Sequence, residues 1–182
     1  MEFITDRKEM LEAVKQVSAC INSRGSIPIL NNVMIELFDE SIHITATDLV
    51  QRMTAILHVS VIGGGAPFTL PAKKLIALLN TMTNNDIVFD IDNNSHATIT
   101  SNTASVKLFG MAADDFPTES EIEPVYTIKV SSKELQRVIK NVAYAIDAKG
   151  TRKALQGALF DVSATGILTV VGTDGKRLAV FE

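Results

Sequence analysis

Two Thr-Asp pairs are the residues of this chain that come nearest to a catalytic pattern. Asp48 follows Thr47 and Asp174 follows Thr173, each at the end of a segment with strand-like alternation. Paired carboxylates can act as general acid and base, or bind a metal ion, when a partner group lies within reach. No residue nearby supplies such a partner, and Asp after a strand commonly closes an Asx turn. The sequence favours a turn role, with an enzyme using Asp48 and Asp174 as the alternative.

The histidines and the single cysteine show no metal-binding or nucleophilic pattern. His43, His58 and His96 are not at ligand spacing, and each lies in a strand-like segment. Cys20 has no motif around it, which predicts a buried apolar role and no internal disulfide. Gly63–Gly65 lacks the Gly-Lys-Ser/Thr ending of a phosphate loop and is predicted to form a flexible hairpin connection. We therefore expect no catalytic residue, no metal site and no cofactor.

Basic residues are the more informative group. Residues 1–124 contain 8 Lys and Arg against 16 Asp and Glu, whereas residues 125–182 contain 9 against 5. If the predicted helices share one face, that face suits contact with a phosphate backbone without sequence reading. Ordinary solvated helix surfaces are the alternative. The basic residues on the predicted helices and the loops after them are Arg7, Lys8, Lys15, Arg24, Lys73, Lys74, Lys133, Arg137, Lys140, Lys149, Arg152 and Lys153.

A repeated pattern of short strand, polar breaker and amphipathic helix positions these basic residues. Helix starts are predicted from residues that cap a helix or fix its first φ angle. The three copies begin at Phe3, Phe68 and Tyr126, with helix starts at Thr5 or Asp6, at Pro71 and at Ser131, and with equivalent leucines at Leu11, Leu75 and Leu135.

Each predicted helix is followed by three segments in which apolar and polar residues alternate, as in half-buried strands. The third segment after the first helix runs from Arg52 to Val61. The predicted unit is therefore β-α-β-β-β, and one unit alone covers only one face of its sheet. Units are expected in pairs, which predicts an α+β fold with helices on one face and antiparallel sheets outside.

The pairing of units predicts the domain organisation. Residues 1–113 hold two units and form a complete first domain, and the acidic, proline-bearing residues 114–124 form a linker. Residues 125–182 hold one unit, the incomplete first half of a second domain. Such a chain looks truncated, or it pairs with another copy. Its apolar residues Leu159, Phe160, Ile167 and Val170 are then expected to be exposed.

Composition excludes several classes of protein. With 46% hydrophobic and 21% charged residues the chain is not disordered. No apolar run approaches the roughly 18 residues of a membrane helix, and the N-terminus does not resemble a signal peptide. A single cysteine fits a reducing compartment. We expect a soluble, cytoplasmic protein.

Five motifs occur in order along the chain: S-I-P-I-L-N-N-V at Ser26–Val33, T-A-T-D-L at Thr45–Leu49, P-A-K-K-L at Pro71–Leu75, A-D-D-F-P at Ala113–Pro117 and T-D-G-K-R-L-A-V at Thr173–Val180. Together they resemble the bacterial sliding clamp family, the beta subunit of DNA polymerase III. The resemblance extends from Met1 to Glu182 and covers the first domain and half of the second in a three-domain chain. It implies the DNA clamp fold, in which a homodimer forms a ring around duplex DNA.

The resemblance also implies roles for individual residues. The implied DNA contacts are Arg24, Lys73 and Lys149, with Arg152 and Lys153 nearby. The implied pocket for partner peptides consists of Leu155, Thr173, Gly175, Lys176, Arg177 and Leu178. The implied ring interface consists of Lys74 and the edge strand around Val106 and Leu108. This chain has Lys176 where the family often has His, and Asn80 where the family has an arginine that contacts DNA.

The function implied by the resemblance is that of a DNA polymerase processivity factor without an active site of its own. Its partners would be duplex DNA, the catalytic subunit of DNA polymerase III, the clamp loader and other clamp-binding peptides. Closure of the ring, rather than the net charge of −4, would keep an acidic protein on DNA. The alternatives are a repeat-built interaction module unrelated to replication, or the enzyme considered above.

Overall fold

The computed structural model describes residues 1–21, 27–102, 104–118 and 127–182. The chain divides into two compact units, Met1–Ser120 (unit 1) and Glu121–Glu182 (unit 2). In unit 1 the described elements are β1 (Glu2–Asp6), α1 (Arg7–Val17), β2 (Asn32–Phe38), β3 (Ser41–Thr47), β4 (Arg52–His58), β5 (Ser60–Gly63), β6 (Phe68–Pro71), α2 (Ala72–Thr81), β7 (Asp86–Ile91), β8 (Ala97–Ser101), β9 (Ala104–Leu108) and β10 (Met111–Ala112). In unit 2 they are α3 (Ser132–Val142), β11 (Leu159–Val162), β12 (Leu168–Thr173) and β13 (Leu178–Phe181). Short 3-10 helices span Ser18–Cys20, Pro28–Asn31, Ala143–Ala145 and Lys153–Leu155.

Unit 1 consists of two halves with the same order of elements, β1-α1-β2-β3-β4-β5 and β6-α2-β7-β8-β9-β10. The halves exchange their first strands, because β1 pairs with β7 and β6 pairs with β2, both antiparallel. The last strand of each half leaves the sheet of the strand before it and joins the other sheet, so that β5 pairs with β1 and β10 pairs with β6. The two sheets have the orders β5-β1-β7-β8-β9 and β10-β6-β2-β3-β4. The predicted α+β fold with antiparallel sheets is confirmed, and both sheets are shared between the halves.

The first and third helices begin at side-chain caps. Asp6 accepts hydrogen bonds from the backbone N–H groups of Lys8 and Glu9, at 2.7 and 3.1 Å. Ser131 accepts one from the Glu134 N–H at 3.2 Å and donates its hydroxyl to the Glu134 carboxylate at 2.9 Å. These contacts satisfy N–H groups that a helix leaves without an internal partner. The predicted starts at Asp6 and Ser131 are confirmed.

The caps correct the predicted alignment of the repeats. The cap of α2 is Pro71, as predicted, and Leu75 and Leu135 each lie four residues after their cap. In α1 the residue at that position is Met10, and Leu11 comes one residue later. The predicted equivalence of Leu11 is therefore wrong by one residue, which on a helix is a rotation of about 100°.

The two helices of unit 1 lie in contact, and one apolar cluster joins them to both sheets. Phe3 of β1 stacks on Phe89 of β7, with ring centroids 4.8 Å apart. The core is thus built from both halves at once. Its largest fully buried side chains include Phe3, Met10, Ile35, Ile42, Ile44, Phe68, Leu70, Leu75, Leu79, Ile87, Phe89 and Ile99.

The start of the predicted linker packs against unit 1. Phe116 is buried and contacts Ile29 and Met34. The guanidinium of Arg52 lies 5.9 Å from the Phe116 ring centroid, and its Nη1 donates to the Pro117 carbonyl at 2.7 Å. Unit 1 therefore continues beyond residue 113, because the aromatic side chain of this segment is part of its packing.

Unit 2 is built from one helix and three strands. The helix α3 packs on an antiparallel sheet of order β11-β12-β13. Gly172 on β12 approaches the end of α3 so closely that a Cβ would lie 2.6 Å from the Val142 carbonyl oxygen. The buried apolar residues of unit 2 are Val138, Val142, Ala145, Val170 and Ala179, a much smaller core than that of unit 1.

Three predictions about strands and exposure are corrected. The stretch Arg52–Val61 is not one strand, because the chain leaves one sheet after β4 and enters the other at β5. Gly63–Gly65 leads from β5 in one sheet to β6 in the other, so it is not a hairpin. Val170, predicted to be exposed, is buried together with Val138 and Val142 of α3. Leu159, Phe160 and Ile167 are exposed as predicted.

The predicted first strand of the third repeat does not form in the described residues. Tyr126 lies outside them, and Thr127–Val130 has no regular secondary structure. In unit 1 the equivalent strands, β1 and β6, form by pairing with the other half. The described part of unit 2 contains no such second half.

Candidate functional site

The Thr47-Asp48 pair forms an Asx turn between β3 and β4. The Asp48 carboxylate accepts hydrogen bonds from the N–H groups of Val50 and Gln51, at 2.9 and 2.7 Å. The Thr47 hydroxyl donates to the Gln51 carbonyl at 2.7 Å and accepts from the Leu49 N–H at 3.1 Å. Leu49 adopts a φ of 75°, in the left-handed region that favours glycine.

The Thr173-Asp174 pair repeats this turn between β12 and β13. The Asp174 carboxylate accepts from the N–H groups of Lys176 and Arg177, at 2.8 and 3.0 Å. The Thr173 hydroxyl donates to the Arg177 carbonyl at 2.7 Å, and Gly175 takes the left-handed position with a φ of 85°. In addition, Arg177 Nε donates to the second carboxylate oxygen of Asp174 at 3.0 Å.

These hydrogen bonds lower the pKa of both aspartates. The N–H of Gln51 is the main cause that lowers the pKa of Asp48, and the N–H of Lys176 has the same effect on Asp174. A carboxylate held ionised by a turn is a poor proton donor at neutral pH. Among the described residues, no group of three or more His, Cys, Asp and Glu side chains could hold a metal ion. The turn interpretation of the two pairs is confirmed.

The loop before β11 lies beside the second turn. Arg152 Nη2 donates to the Asp174 carbonyl at 3.4 Å, and Leu155 follows Arg152 in a 3-10 turn. The guanidinium of Arg177 lies 5.8 Å from the Tyr144 ring centroid. The structure thus brings the loop that carries Leu155 next to Thr173–Leu178.

Most residues of the predicted peptide pocket are accessible. Leu155 and Thr173 are half-buried, whereas Leu178 is 64% exposed. Tyr144, which was not among the predicted residues, is 61% exposed beside Arg177. The surface therefore combines apolar side chains with the charges of two basic residues. The remaining members of the predicted pocket, Gly175, Lys176 and Arg177, are exposed.

The predicted DNA contacts of unit 2 lie on a loop with defined hydrogen bonds. The Asp147 N–H donates to the Leu155 carbonyl at 3.0 Å, and the Gly150 N–H donates to the Asp147 carbonyl at 3.1 Å. The Gln156 side chain donates to the Gly150 carbonyl at 2.7 Å. These bonds give the loop a fixed shape from which positive side chains project. The exposed basic residues on it are Lys149, Arg152 and Lys153.

On α3 the three basic residues do not have the same role. Lys133 and Lys140 are exposed, but the guanidinium of Arg137 lies 5.1 Å from the Phe181 ring centroid. Arg137 is therefore held on the sheet of its own unit by a cation–π contact. Arg137 is nevertheless exposed like the two lysines, so its charge also remains accessible.

In unit 1 the exposed lysines of α2 concentrate positive charge at one helix end. Lys73 and Lys74 are exposed in the first turn, which contains no acidic residue. Their charges add to the positive end of the helix dipole, which favours an anion such as phosphate. The predicted contact Arg24 lies outside the described residues. Asn80, at the predicted arginine position, donates to the Ile76 carbonyl of its own helix at 2.9 Å.

Arg7 is not part of a free basic surface. Its Nη1 donates to the Leu79 carbonyl at the end of α2, and its Nε donates to the Asn84 carbonyl, both at 3.0 Å. The side chain ties the start of α1 to the end of α2.

The predicted ring interface maps to an edge of one sheet. β9 is the last strand of the order β5-β1-β7-β8-β9, so one of its edges has no strand partner among the described residues of unit 1. Val106 is half-buried and Lys74 is exposed, but the Leu108 side chain is buried in the core. At Leu108, therefore, only the strand edge and not the side chain is available to a partner.

Comparison with known proteins decides the family. The family described as "DNA polymerase III beta subunit, N-terminal domain" matches residues 1–120. The chain belongs to the DNA polymerase III beta subunit family. It is 30% identical over 182 residues to the beta sliding clamp of Chlamydia muridarum, covering all of this chain and 49% of that protein.

Two solved structures show the same fold. The polymerase III beta subunit of Caulobacter crescentus superposes with a TM-score of 0.89 at 27% identity, over 99% of this chain and 49% of that one. The beta subunit of Pseudomonas aeruginosa gives a TM-score of 0.90 at 25% identity, over 99% of this chain and 48% of that one. This beta-family chain thus spans about half the length of the curated relatives it matches. None of the helices in the described part of the chain has the length and apolar character to span a bilayer.

Sequence reasoning missed contacts that depend on distant residues. Arg52 and Phe116 were not singled out, although their contact holds the end of unit 1 in place. The signal was present in the A-D-D-F-P motif, where one aromatic residue stands among acidic ones. The bond from Arg152 to the Asp174 carbonyl had no signal, because the two residues are 22 positions apart and the loop conformation joins them.

Proposed function

We propose that this beta-family chain forms part of a DNA sliding clamp, a processivity factor that encircles duplex DNA and tethers the replicative polymerase. The architecture of unit 1 is the observation that supports this proposal most. Unit 1 has the two-half architecture of the family, and the exposed charges at the start of α2 are lysines without acidic neighbours. The ring is proposed for a protein with the full length of the relatives, as a homodimer in the cytoplasm.

The proposed DNA contacts are non-specific. Phosphate contacts made by flexible lysines carry no sequence information and exchange rapidly, so a closed ring can slide. The topology of the ring, and not the strength of these contacts, then keeps it on DNA. The residues assigned to phosphate contact are Arg24, Lys73, Lys149, Arg152 and Lys153.

The proposed site for partner peptides is the surface around the second Asx turn. Leu178 and Leu155 offer apolar contact. Gly175, in the fixed turn, has no side chain that could cover these two leucines. Segments of the polymerase III catalytic subunit, the clamp loader and other clamp-binding proteins are the proposed ligands. We assign Thr173, Lys176 and Arg177 to the same surface, and Lys74, Val106 and Leu108 to the ring interface.

The proposed role is that of an accessory subunit without an active site of its own. The alternative enzyme would need Asp48 or Asp174 to transfer a proton or hold a metal ion. Both carboxylates already accept two backbone hydrogen bonds in their turns. The accessory role is therefore favoured over catalysis.

DNA binding by this 182-residue chain tests the proposal. Fluorescence anisotropy with a labelled duplex at several salt concentrations gives the slope of log affinity against log salt. Lys73→Glu and Lys149→Glu should each weaken binding and reduce that slope by about 1. The matched control is Lys176→Glu, which makes the same charge change at the proposed peptide surface and should leave the slope unchanged. Equal effects of all three substitutions would contradict the assignment.

A further inference from the structure

An acidic groove lies in unit 1, where the chain crosses from one sheet to the other between β4 and β5. Its volume is about 790 Å³, which is within the usual range of ligand sites. No lysine or arginine is found among the described residues that line it. The groove is defined by five carboxylates and one hydroxyl, those of Asp6, Glu9, Asp39, Glu40, Asp86 and Thr5.

Both sheets of unit 1 contribute to the wall of the acidic groove. Asp6 and Asp86 are at the end of the strand pair β1 and β7, in one sheet. Asp39 and Glu40 form the turn between β2 and β3, in the other sheet. The Glu40 carbonyl accepts a hydrogen bond from the Val59 N–H at 3.1 Å, which fixes this turn beside the crossing. The groove therefore opens between the ends of the two sheets.

Asp6 and Asp86 bring two negative charges close together. They are directly opposite in the antiparallel register, where Cβ atoms are about 5 Å apart and like charges repel. The neighbouring Arg7 does not neutralise them, because its guanidinium donates to the carbonyls of Leu79 and Asn84. In the described part of the chain, no ion pair includes a carboxylate of the acidic groove. A bound cation would therefore lower the electrostatic energy of this end of the sheet.

A buried hydroxyl without a partner lies at the same place. Thr5 lines the acidic groove and is 4% exposed, and its Oγ1 has no hydrogen-bond partner among the described residues. Alternation along β1 places Thr5 on the inner face with Phe3, two residues nearer to the end where the groove opens. An unpaired buried hydroxyl costs free energy, which a hydrogen bond from a ligand would recover. The site therefore favours a cation that also donates hydrogen bonds.

We propose that the acidic groove binds a lysine- or arginine-rich segment of a partner protein. Ammonium and guanidinium groups carry the positive charge that the wall lacks, and their N–H groups can donate to Thr5 Oγ1. A metal ion does not fit, because no group of three or more metal-ligating side chains in the described residues could hold one.

The exposure of the carboxylates favours a protein segment over a small enclosed molecule. All of them except the half-buried Asp6 are exposed, so side chains can reach them from the surface of a partner. The acidic groove shares no residue with the proposed DNA, peptide or ring contacts. It would therefore add a basic partner to those proposed above without competing for their sites.

Fluorescence anisotropy with a labelled peptide of alternating lysine and alanine tests the charge of the groove. Asp86→Asn should weaken binding of this peptide to the full chain by about threefold, the effect of losing an exposed charge pair. The matched control is Asp90→Asn, which removes the same charge from the same strand outside the groove and should leave the affinity unchanged. Equal losses would show attraction to the net charge of the protein and would overturn the proposal.

Spermidine distinguishes a protein segment from a free polyamine. It should displace the labelled peptide only when its amine groups are in large excess over the lysines, because it lacks the backbone contacts of a peptide. Displacement at equal concentrations of amine groups would assign the groove to polyamines and overturn a protein partner. The affinity for the peptide should also fall as salt rises. An affinity that does not depend on salt would contradict binding by charge.

Replacement of the buried hydroxyl tests its role separately. Thr5→Val should raise the melting temperature, because the free protein no longer buries an unpaired hydroxyl, and it should weaken peptide binding. The matched control is Thr69→Val, because Thr69 is also buried but bonds to the Asn32 side chain at 2.9 Å. That variant should lower the melting temperature and leave peptide binding unchanged. A lower melting temperature for Thr5→Val, or unchanged peptide binding, would overturn the assignment of this hydroxyl to a ligand.

Discussion

Units 1 and 2 have the same local structure but differ in how completely their inner faces are buried. Both start with a side-chain cap on a helix, and in both the helix packs on antiparallel strands joined by the same Thr-Asp turn. Yet Met10 and Val14 are completely buried, while Leu135 and Ile139 at the same positions are not. The difference is the second half, which unit 1 has and the described part of unit 2 lacks. Local structure is thus encoded within one β-α-β-β-β segment, whereas burial of its inner face needs two.

The first strand shows the same contrast. Residues Glu2–Asp6 form a strand against β7, and Thr127–Val130 has no regular structure. Thr127–Val130 alternates polar and apolar residues, whereas Glu2–Asp6 does not. A strand needs a hydrogen-bonded neighbour, so an alternating pattern alone does not produce one.

Removing an equivalent aromatic ring from each unit should give the largest difference between the units in lost stability. Phe89 is completely buried and stacked on Phe3, whereas Phe160 is 44% exposed. Phe89→Ala should therefore destabilise unit 1 by about 3–5 kcal/mol. Phe160→Ala should cost unit 2 less than about 1 kcal/mol.

Hydrogen exchange with mass spectrometry reports the two units separately, since each has its own peptides. Phe109→Ala is a matched control in unit 1, because Phe109 is 70% exposed. Similar losses from Phe89→Ala and Phe160→Ala would contradict the view that unit 2 lacks a completed inner face.

Removing the helix caps should affect the two units to a similar degree. Asp6→Ala and Ser131→Ala each remove an acceptor from the first turn of a helix, and each should cost about 1 kcal/mol. Exchange of amides in the first turn of α1 and α3 measures the effect. Ser132→Ala is the control, because Ser132 is exposed and does not cap the helix. A cap effect found only in unit 1 would show that even this local contact depends on the second half.

The two Asx turns should show the smallest difference between the two units. Hydrogen bonds lower the pKa of both Asp48 and Asp174, so each turn is stabilised above the unfolded pKa of about 4 and loses this as pH falls through the folded value. Arg177→Gln should raise the pKa of Asp174 and leave that of Asp48 unchanged, because only Asp174 bonds to an arginine side chain. Carboxyl carbon shifts followed by NMR between pH 2 and 6 measure both. A shift of Asp48 in that variant would contradict the locality of these turns.

The sequence predicted correctly those features that depend on neighbouring residues, and it failed where the contacts are between distant residues. Caps at Asp6 and Ser131, the Thr-Asp turns and most strand segments depend on neighbours in sequence, and they were predicted correctly. The break within Arg52–Val61 was not, because alternation continues while the strand partner changes from one sheet to the other. Arg7 was assigned to a positive face, yet carbonyls more than seventy residues away receive its hydrogen bonds.

The exchange of first strands in unit 1 has a consequence for folding kinetics. Strand β1 leaves the ribosome well before its partner β7, because the rest of the first half and the elements β6 and α2 lie between them. Contacts between residues so far apart in sequence close late and slow the folding of a domain. During synthesis, β5 can pair with one edge of β1, but the other edge of Glu2–Asp6 stays open until Asp86–Ile91 has emerged, and we expect nascent chains shorter than that to depend on chaperones.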